Sequence, residues 1–219
     1  MAPLIAITGF IGSGKSAVCR CLAAWGYSIY DCDSRAKALM DKDTEIHRRL
    51  CMEISPVVVA GGRIDREKLA SIVFSDKSML ATLNGIVHRR VIDDLRRWRV
   101  RHGRESLLFV ETAILLESNL HNEVDRVWLV DASEKTSLRR ASMRDDTSIE
   151  MIRARVRNQR RVTRRDIRVP LDVIDNDGGV AVIPQLTRLL DMATAVEALT
   201  GVRPLCHQSI TTIPGQWKG

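Results

Sequence analysis

Leu4-Ile5-Ala6-Ile7-Thr8-Gly9-Phe10-Ile11-Gly12-Ser13-Gly14-Lys15-Ser16 is the stretch on which the fold turns. Its first five residues form an apolar run that ends in glycine, the mark of a short buried strand. Residues 9–16 fit G-x-x-x-x-G-K-[ST], and Lys15 to Trp25 continues with Val18, Cys21, Leu22 and Trp25 at helical spacing. Strand, loop and helix in that order are the context that gives this motif its meaning. Glycine lets the backbone wrap closely round a phosphate. Loop amides and the helix N-terminus then face the anion. Lys15 is placed to reach β- and γ-phosphates, and Ser16 offers an oxygen to Mg2+. The expected ligand is ATP or GTP with Mg2+.

Outward from the loop, apolar runs recur. Tyr27–Tyr30, Leu107–Val110, Val127–Val130 and a run containing Val173–Ile174 read as four more strands, the first three ending at Asp31, Glu111 and Asp131. Between them the text is helical. Residues 34–101 read as helix almost throughout, broken at Gly61-Gly62, with Ser75 and Asp76 as helix starts. Ser133 is expected to cap one helix and Thr147-Ser148-Ile149-Glu150 to open another as a capping box, and Ile183–Leu199 reads as the last helix. Strands alternating with helices predict an α/β fold. It is expected as a P-loop NTPase-type parallel five-stranded sheet flanked by helices, with an inserted helical subdomain at 34–101. The expectation is a single domain over 1–200, followed by a tail at 201–219 without periodicity. A Rossmann dehydrogenase is disfavoured, because the glycine spacing differs.

Composition narrows the class. Over 219 residues, 45% hydrophobic and 28% charged content is that of a globular chain, and a net charge of +7 points to anionic partners. Cys19, Cys21, Cys32, Cys51 and Cys206 are odd in number and hold no C-x-x-C pair, which argues for free thiols and a reducing, cytoplasmic setting. No apolar run reaches the length of a membrane span, and the opening residues lack the basic flank of a signal peptide. No Asn-Lys-x-Asp guanine reader is present, so a GTPase is disfavoured. Small size and an arginine-rich region before the fifth strand favour a small-molecule kinase. Strand-end carboxylates in such sheets face the ligand crevice. Asp33 there orients or deprotonates an attacking hydroxyl, or else caps the helix from Ser34; Asp31 holds Mg2+ waters; Glu111 is a Mg2+ group or a plain strand end. The arginines of 96–101 and 153–168 read as solvated helix faces or as an anion funnel. Trp98 among them raises a nucleic-acid platform, but the 4% aromatic content and the lack of an RNA-binding motif argue against nucleic acid.

Several ordered motifs are more specific than any one of them. Thr8–Ser16 reads Thr-Gly-Phe-Ile-Gly-Ser-Gly-Lys-Ser, and Asp31-Cys32-Asp33 follows the second strand. Leu83-Asn84-Gly85-Ile86-Val87-His88, then Glu111 with Leu115-Leu116-Glu117-Ser118, come next. Arg140, Arg144, Asp145-Asp146 and Gln159 precede Asp172-Val173-Ile174-Asp175-Asn176-Asp177-Gly178. From about Leu4 to Leu190 this series resembles the dephospho-CoA kinase family. The chain departs from the family pattern at Arg89 and Ala113, where the family has proline, and at Cys32, where it has alanine. The resemblance implies transfer of the ATP γ-phosphate to the ribose 3′-hydroxyl of dephospho-CoA, giving CoA and ADP. Gly12, Ser13, Gly14, Lys15, Ser16 and the Ala17 amide would cradle the phosphates, and Asp33 would serve as base or orienter for the 3′-hydroxyl. Arg140, and Arg144 beside it, would close from a lid at about 140–165, and Asn176 would read adenine edges. His88 would touch the acceptor or brace the helical subdomain, to which acceptor binding is assigned. No membrane or nucleic-acid partner is expected, and the chain is expected as a monomer or weak homo-oligomer. A kinase with a nucleoside or nucleotide acceptor stays open, as does a basic nucleic-acid binder that retains a nucleotide loop.

Overall fold

The structure, a computed structural model, describes residues 1–157 and 159–200. Its elements begin with β1 (Leu4–Thr8), α1 (Lys15–Ala24), β2 (Ser28–Asp31), α2 (Cys32–Lys42), α3 (Thr44–Glu53), β3 (Val59–Ala60) and β4 (Arg63–Ile64). They continue with α4 (Arg66–Ser75), α5 (Lys77–Arg101), β5 (Leu108–Glu111), β6 (Arg126–Asp131), α6 (Glu134–Asp145), α7 (Ile149–Val156), β7 (Leu171–Asp175) and α8 (Val182–Thr200). Five strands form one parallel sheet in the order β2-β5-β1-β6-β7, as expected. The expected tail at 201–219 lies outside the described residues.

Strand β1 is central and wholly buried, which explains why it reads as an unbroken apolar run. Leu4 and Ala6 join Tyr30, Leu108, Val110 and Val127 on the face covered by α5 and the segments around Leu115–Val124 and Ile167. Ile5 and Ile7 join Phe109, Trp128, Val130 and Ile174 on the face covered by α1 and α8. Each large side chain buried this way contributes about 1.5–3 kcal/mol. All five strands run parallel, so their carboxyl ends share one edge: Ile7 and Asp31 both stand level with Glu111.

Residues 32–101 form a second packed unit with its own apolar cluster of Ile46, Leu50, Val58, Leu69, Val73 and Ile86. Aspartates punctuate it. Asp31, Asp43, Asp65 and Asp76 each N-cap the following helix through a side-chain oxygen. The expected break at Gly61-Gly62 is the turn of a small antiparallel hairpin, β3–β4, which period alone did not reveal. Two frames shift. The box expected at Thr147 does not form: the cap is Ser148, which accepts from the Met151 amide, and Met151 has no side-chain oxygen acceptor to complete a box. The helix expected from Ser34 starts at Cys32, so Asp31 is its cap and Asp33 is not. Trp98 is half-buried and packs its ring against Tyr30 and His102 at the edge of the core. Arg96 and Arg99 are tied to Glu123 and Asp125.

Candidate active site

Residues 9–16 cross the carboxyl edge of the sheet as a tight loop. Gly12 (φ +82°) and Gly14 (φ +103°) take backbone conformations that side chains resist. Space forbids a side chain there too: a Cβ on Gly12 would stand 2.0 Å from the Ser137 carbonyl oxygen, and one on Gly14 would stand 2.1 Å from Asn176 Nδ2. The glycines thus admit close neighbours. Asn176 Nδ2 donates to the Ser13 carbonyl at 2.6 Å, its own amide donates to the Asp131 carbonyl at 2.8 Å, and Arg140 donates to the Asn176 carbonyl at 2.8 Å. Asn176 therefore anchors the loop from β7, and Arg140 anchors Asn176. Phe10 and Ile11, two of the four unspecified positions of G-x-x-x-x-G-K-[ST], pack against Leu138, Ala141, Ile152 and Val156 of α6 and α7.

Lys15 Nζ donates to the carbonyls of Gly9 and Phe10, at 3.0 and 3.1 Å. Burial lowers its pKa, and the carboxylates of Glu111 and Asp33 oppose that shift. The Arg144 charge also bears on Lys15, and Arg144 pairs with Asp145 at 2.8 Å. Ser16 Oγ donates to Glu111 Oε1 at 2.6 Å. Asp31 accepts from the amides of Asp33 and Ser34 and from Ser34 Oγ. Asp33 is exposed, in the first turn of α2, and its carboxylate accepts no hydrogen bond among the described residues. Free of capping, it is available to a ligand.

Asp33 also lines a small cavity of about 90 Å3 with Cys32, Val87, His88, Ile92, Thr112 and Ser118. His88, Ile92 and Ser118 lead from it into a larger cavity of about 660 Å3 between α5 and residues 117–123. The larger cavity is lined by Asn84, Asn119 and Asn122, by Arg89 and Arg96, and by Glu117 and Glu123. Burial holds the His88 imidazole below its ordinary pKa, with Glu117 opposing. Burial raises the thiol pKa of Cys19, which hydrogen-bonds Glu111, and of Cys32 between the two aspartates.

The structure brings Gly12, Ser13, Gly14, Lys15, Ser16, Ala17, Asp31, Asp33, Glu111, Arg140, Arg144 and Asn176 to one edge, and sets His88 one cavity away. Gln159 was only a motif letter in the sequence. Here Ile11 N donates to its Oε1 at 3.2 Å, and its Nε2 donates to the carbonyls of Gly9 at 3.1 Å and Ala113 at 2.8 Å. Those bonds cross 148, 150 and 46 residues, so no sequence window displays them.

The sequence model of the dephospho-CoA kinases matches residues 3–181. The chain belongs to the dephospho-CoA kinase family. It is an ATP-dependent phosphotransferase of coenzyme A biosynthesis. The dephospho-CoA kinase of Bacteroides fragilis strain YCH46 is 35% identical over 190 residues, spanning 87% of this chain and 92% of the relative. That of Porphyromonas gingivalis is 40% identical over 157 residues, spanning 72% and 77%. A crystal structure from Thermus thermophilus superimposes with a TM-score of 0.69 at 34% identity, covering 89% of this chain and 97% of its own. A dephospho-CoA kinase from Campylobacter jejuni shares the fold at 20% identity and a TM-score of 0.60, covering 90% and 100%. Of the departures from the dephospho-CoA kinase pattern, Arg89 and Cys32 line the cavities and Ala113 does not. Arg89 stands mid-helix in an unbroken α5 and lines the large cavity, and Ala113 presents its carbonyl to Gln159.

Proposed function

We propose that this chain transfers the γ-phosphoryl group of ATP to the 3′-hydroxyl of dephospho-CoA, with Asp33 as the base. The observation that carries this reading is the position of Asp33: its charge acts on Lys15 of the phosphate loop, and its side chain lines the cavity that opens beside α5. A carboxylate between a donor loop and an acceptor cavity is what proton removal from the attacking hydroxyl requires. The amides from Gly12 to Ala17 hold the β- and γ-phosphates, and Lys15 moves from the Gly9 and Phe10 carbonyls onto them. Asp33 takes the 3′-hydroxyl proton as the oxygen attacks phosphorus. The bond to the β-γ bridging oxygen breaks, and ADP leaves.

Arg144, whose charge bears on Lys15, supplies a guanidinium over the transferring group, and Arg140 adds a second when α6 and α7 close as a lid. Asn176, level with the phosphate loop, is the adenine-side contact. Ser16 Oγ, Glu111 and Asp31 fit Mg2+: all three offer oxygen at one edge, and such an ion is held by few protein oxygens together with substrate phosphates. That ion would neutralise charge on the phosphates. The acceptor nucleoside occupies the cavity beside Asp33, and its pantetheine arm runs along the asparagine-lined cavity past His88. Free thiols at Cys19, Cys21, Cys32 and Cys51 support a reducing cytoplasm as the place of action, with the chain as a monomer or weak homo-oligomer.

The test is ADP release from Mg-ATP with and without dephospho-CoA, with the acceptor followed by mass. One added phosphate on dephospho-CoA, with ADP release dependent on it, is the expected result. Phosphorylation of a nucleoside with dephospho-CoA ignored would overturn the acceptor.

A further inference from the structure

We propose that Gln159 is a positioning residue for ATP: its amide holds the phosphate loop in the shape that accepts phosphate, and it couples that shape to α7 and to the end of β5. The inference rests on ATP occupying the loop as proposed above.

A primary amide has two N–H donors and one carbonyl acceptor. Gln159 uses all three, on Ile11 N, the Gly9 carbonyl and the Ala113 carbonyl. The first two bonds grip the loop either side of Phe10. They fix the directions of the Ile11 amide and the Gly9 carbonyl. The third bond fixes the segment just after Glu111, the carboxylate that receives Ser16 Oγ. Gln159 itself follows the end of α7, its backbone N–H donating to the Val156 carbonyl at 3.0 Å, and Val156 packs on Phe10 and Ile11. Next to it, the Arg160 amide donates to Glu117 at 2.8 Å, and the Arg161 guanidinium lies 5.7 Å above the Phe10 ring centre.

The Gly9 carbonyl explains why an amide is needed. It accepts from Gln159 Nε2 and also from Lys15 Nζ at 3.0 Å. When Lys15 turns toward phosphates, that partly buried carbonyl loses one donor and keeps the other. A buried polar group left without a partner is costly, so Gln159 makes the departure of Lys15 affordable. A carboxylate at position 159 would face two carbonyl oxygens with no proton to offer either.

The experiment compares Gln159→Glu, Gln159→Ala and Lys15→Ala with the parent chain. Mg-ATP affinity is measured by calorimetry at pH 8 and pH 5.5, and KM for ATP and for dephospho-CoA by initial rates. Thermal midpoints are recorded alongside. Gln159→Glu is expected to weaken ATP about tenfold at pH 8, the order of one lost hydrogen bond. KM for dephospho-CoA is expected to stay within about twofold. At pH 5.5 the deficit relative to the parent shrinks, because the facing Gly9 and Ala113 carbonyl oxygens and partial burial favour the protonated form of a glutamic acid there, which regains one donor. Gln159→Ala is expected to weaken ATP by a similar factor with no such pH dependence. Parent-like ATP affinity in both Gln159 variants, beside a loss in Lys15→Ala, would overturn the role of Gln159 alone. Equal rises in both KM values with a lowered thermal midpoint and no pH recovery would reduce it to a structural brace. Parent-like affinity in Lys15→Ala would instead remove ATP from the loop and the proposed function with it.

Discussion

The donor side and the acceptor side of this site are built on different terms. The phosphate loop is braced from several sides: Asn176 holds Ser13, Gln159 holds Gly9 and Ile11, and α6 and α7 pack on Phe10 and Ile11. Beside α5 lies a cavity of about 660 Å3, whose walls mix polar side chains with Ala81 and Ile92 and come from one helix and one irregular segment. A triphosphate therefore meets a preorganised cradle, which saves the cost of ordering it on binding. Under the proposed function the acceptor meets this open space, and recognition there depends on what it brings. Sequence follows the same division. The donor loop keeps the family pattern letter for letter from Thr8 to Ser16 apart from one variable position, whereas Arg89 replaces a family proline in the cavity wall.

The sharpest way to break this contrast is at Lys15. Lys15→Ala is expected to lower kcat about a thousandfold, a barrier increase of ~4 kcal/mol, read by single-turnover rates. A loss confined to KM for ATP would mean that the cradle only binds. Asp33→Asn comes next, with kcat down about a hundredfold and Mg-ATP affinity within about twofold, measured by titration. Weakened ATP binding in that variant would place Asp33 on the donor side alone. On the acceptor side, His88→Ala is expected to raise KM for dephospho-CoA about fivefold at unchanged KM for ATP. Equal change in both would deny the separation of the two sides.

The smallest effect concerns stability. Burial alone would raise the Asp43 pKa, but the Arg90 side chain and the Ile46 and Glu45 amides outweigh it and hold the carboxyl below its ordinary value. A depressed carboxyl pKa stabilises the fold above the unfolded value near pH 4, and that contribution fades as pH falls through the folded value. Asp43→Ala also removes the N-cap of α3 and leaves Arg90 without its 2.6 Å partner. It is expected to cost about 2 kcal/mol at pH 7, a thermal midpoint lower by about 4–8 °C. The gap from the parent should narrow below pH 4. A constant gap down to pH 3 would assign the loss to packing.

Much of this was legible because it is local. A strand, five further residues and a glycine-lysine pair lie within one window, and strand-end acids announce the edge they reach. The β3–β4 hairpin escaped because two-residue strands carry no period. Asp31 and Asp33 are ambiguous in sequence because either spacing suits a cap; only the backbone shows that Asp31 takes the amides. Arg140 was expected over the phosphates, and its contact with the Asn176 carbonyl depends on α6 meeting the loop after β7, 36 residues on. Gln159 was hidden for the same reason, its partners lying far away in the chain.

Cys19 and Cys32 stand beside the acids of this edge, and burial holds both thiols protonated. Dephospho-CoA and CoA each end in a thiol, so disulfides of either are a natural hazard to any protein that handles them. Exchange with a disulfide needs a thiolate on the attacking side. By keeping its nearest sulfurs out of that form, the chain can turn over a thiol-bearing substrate without becoming cross-linked to it.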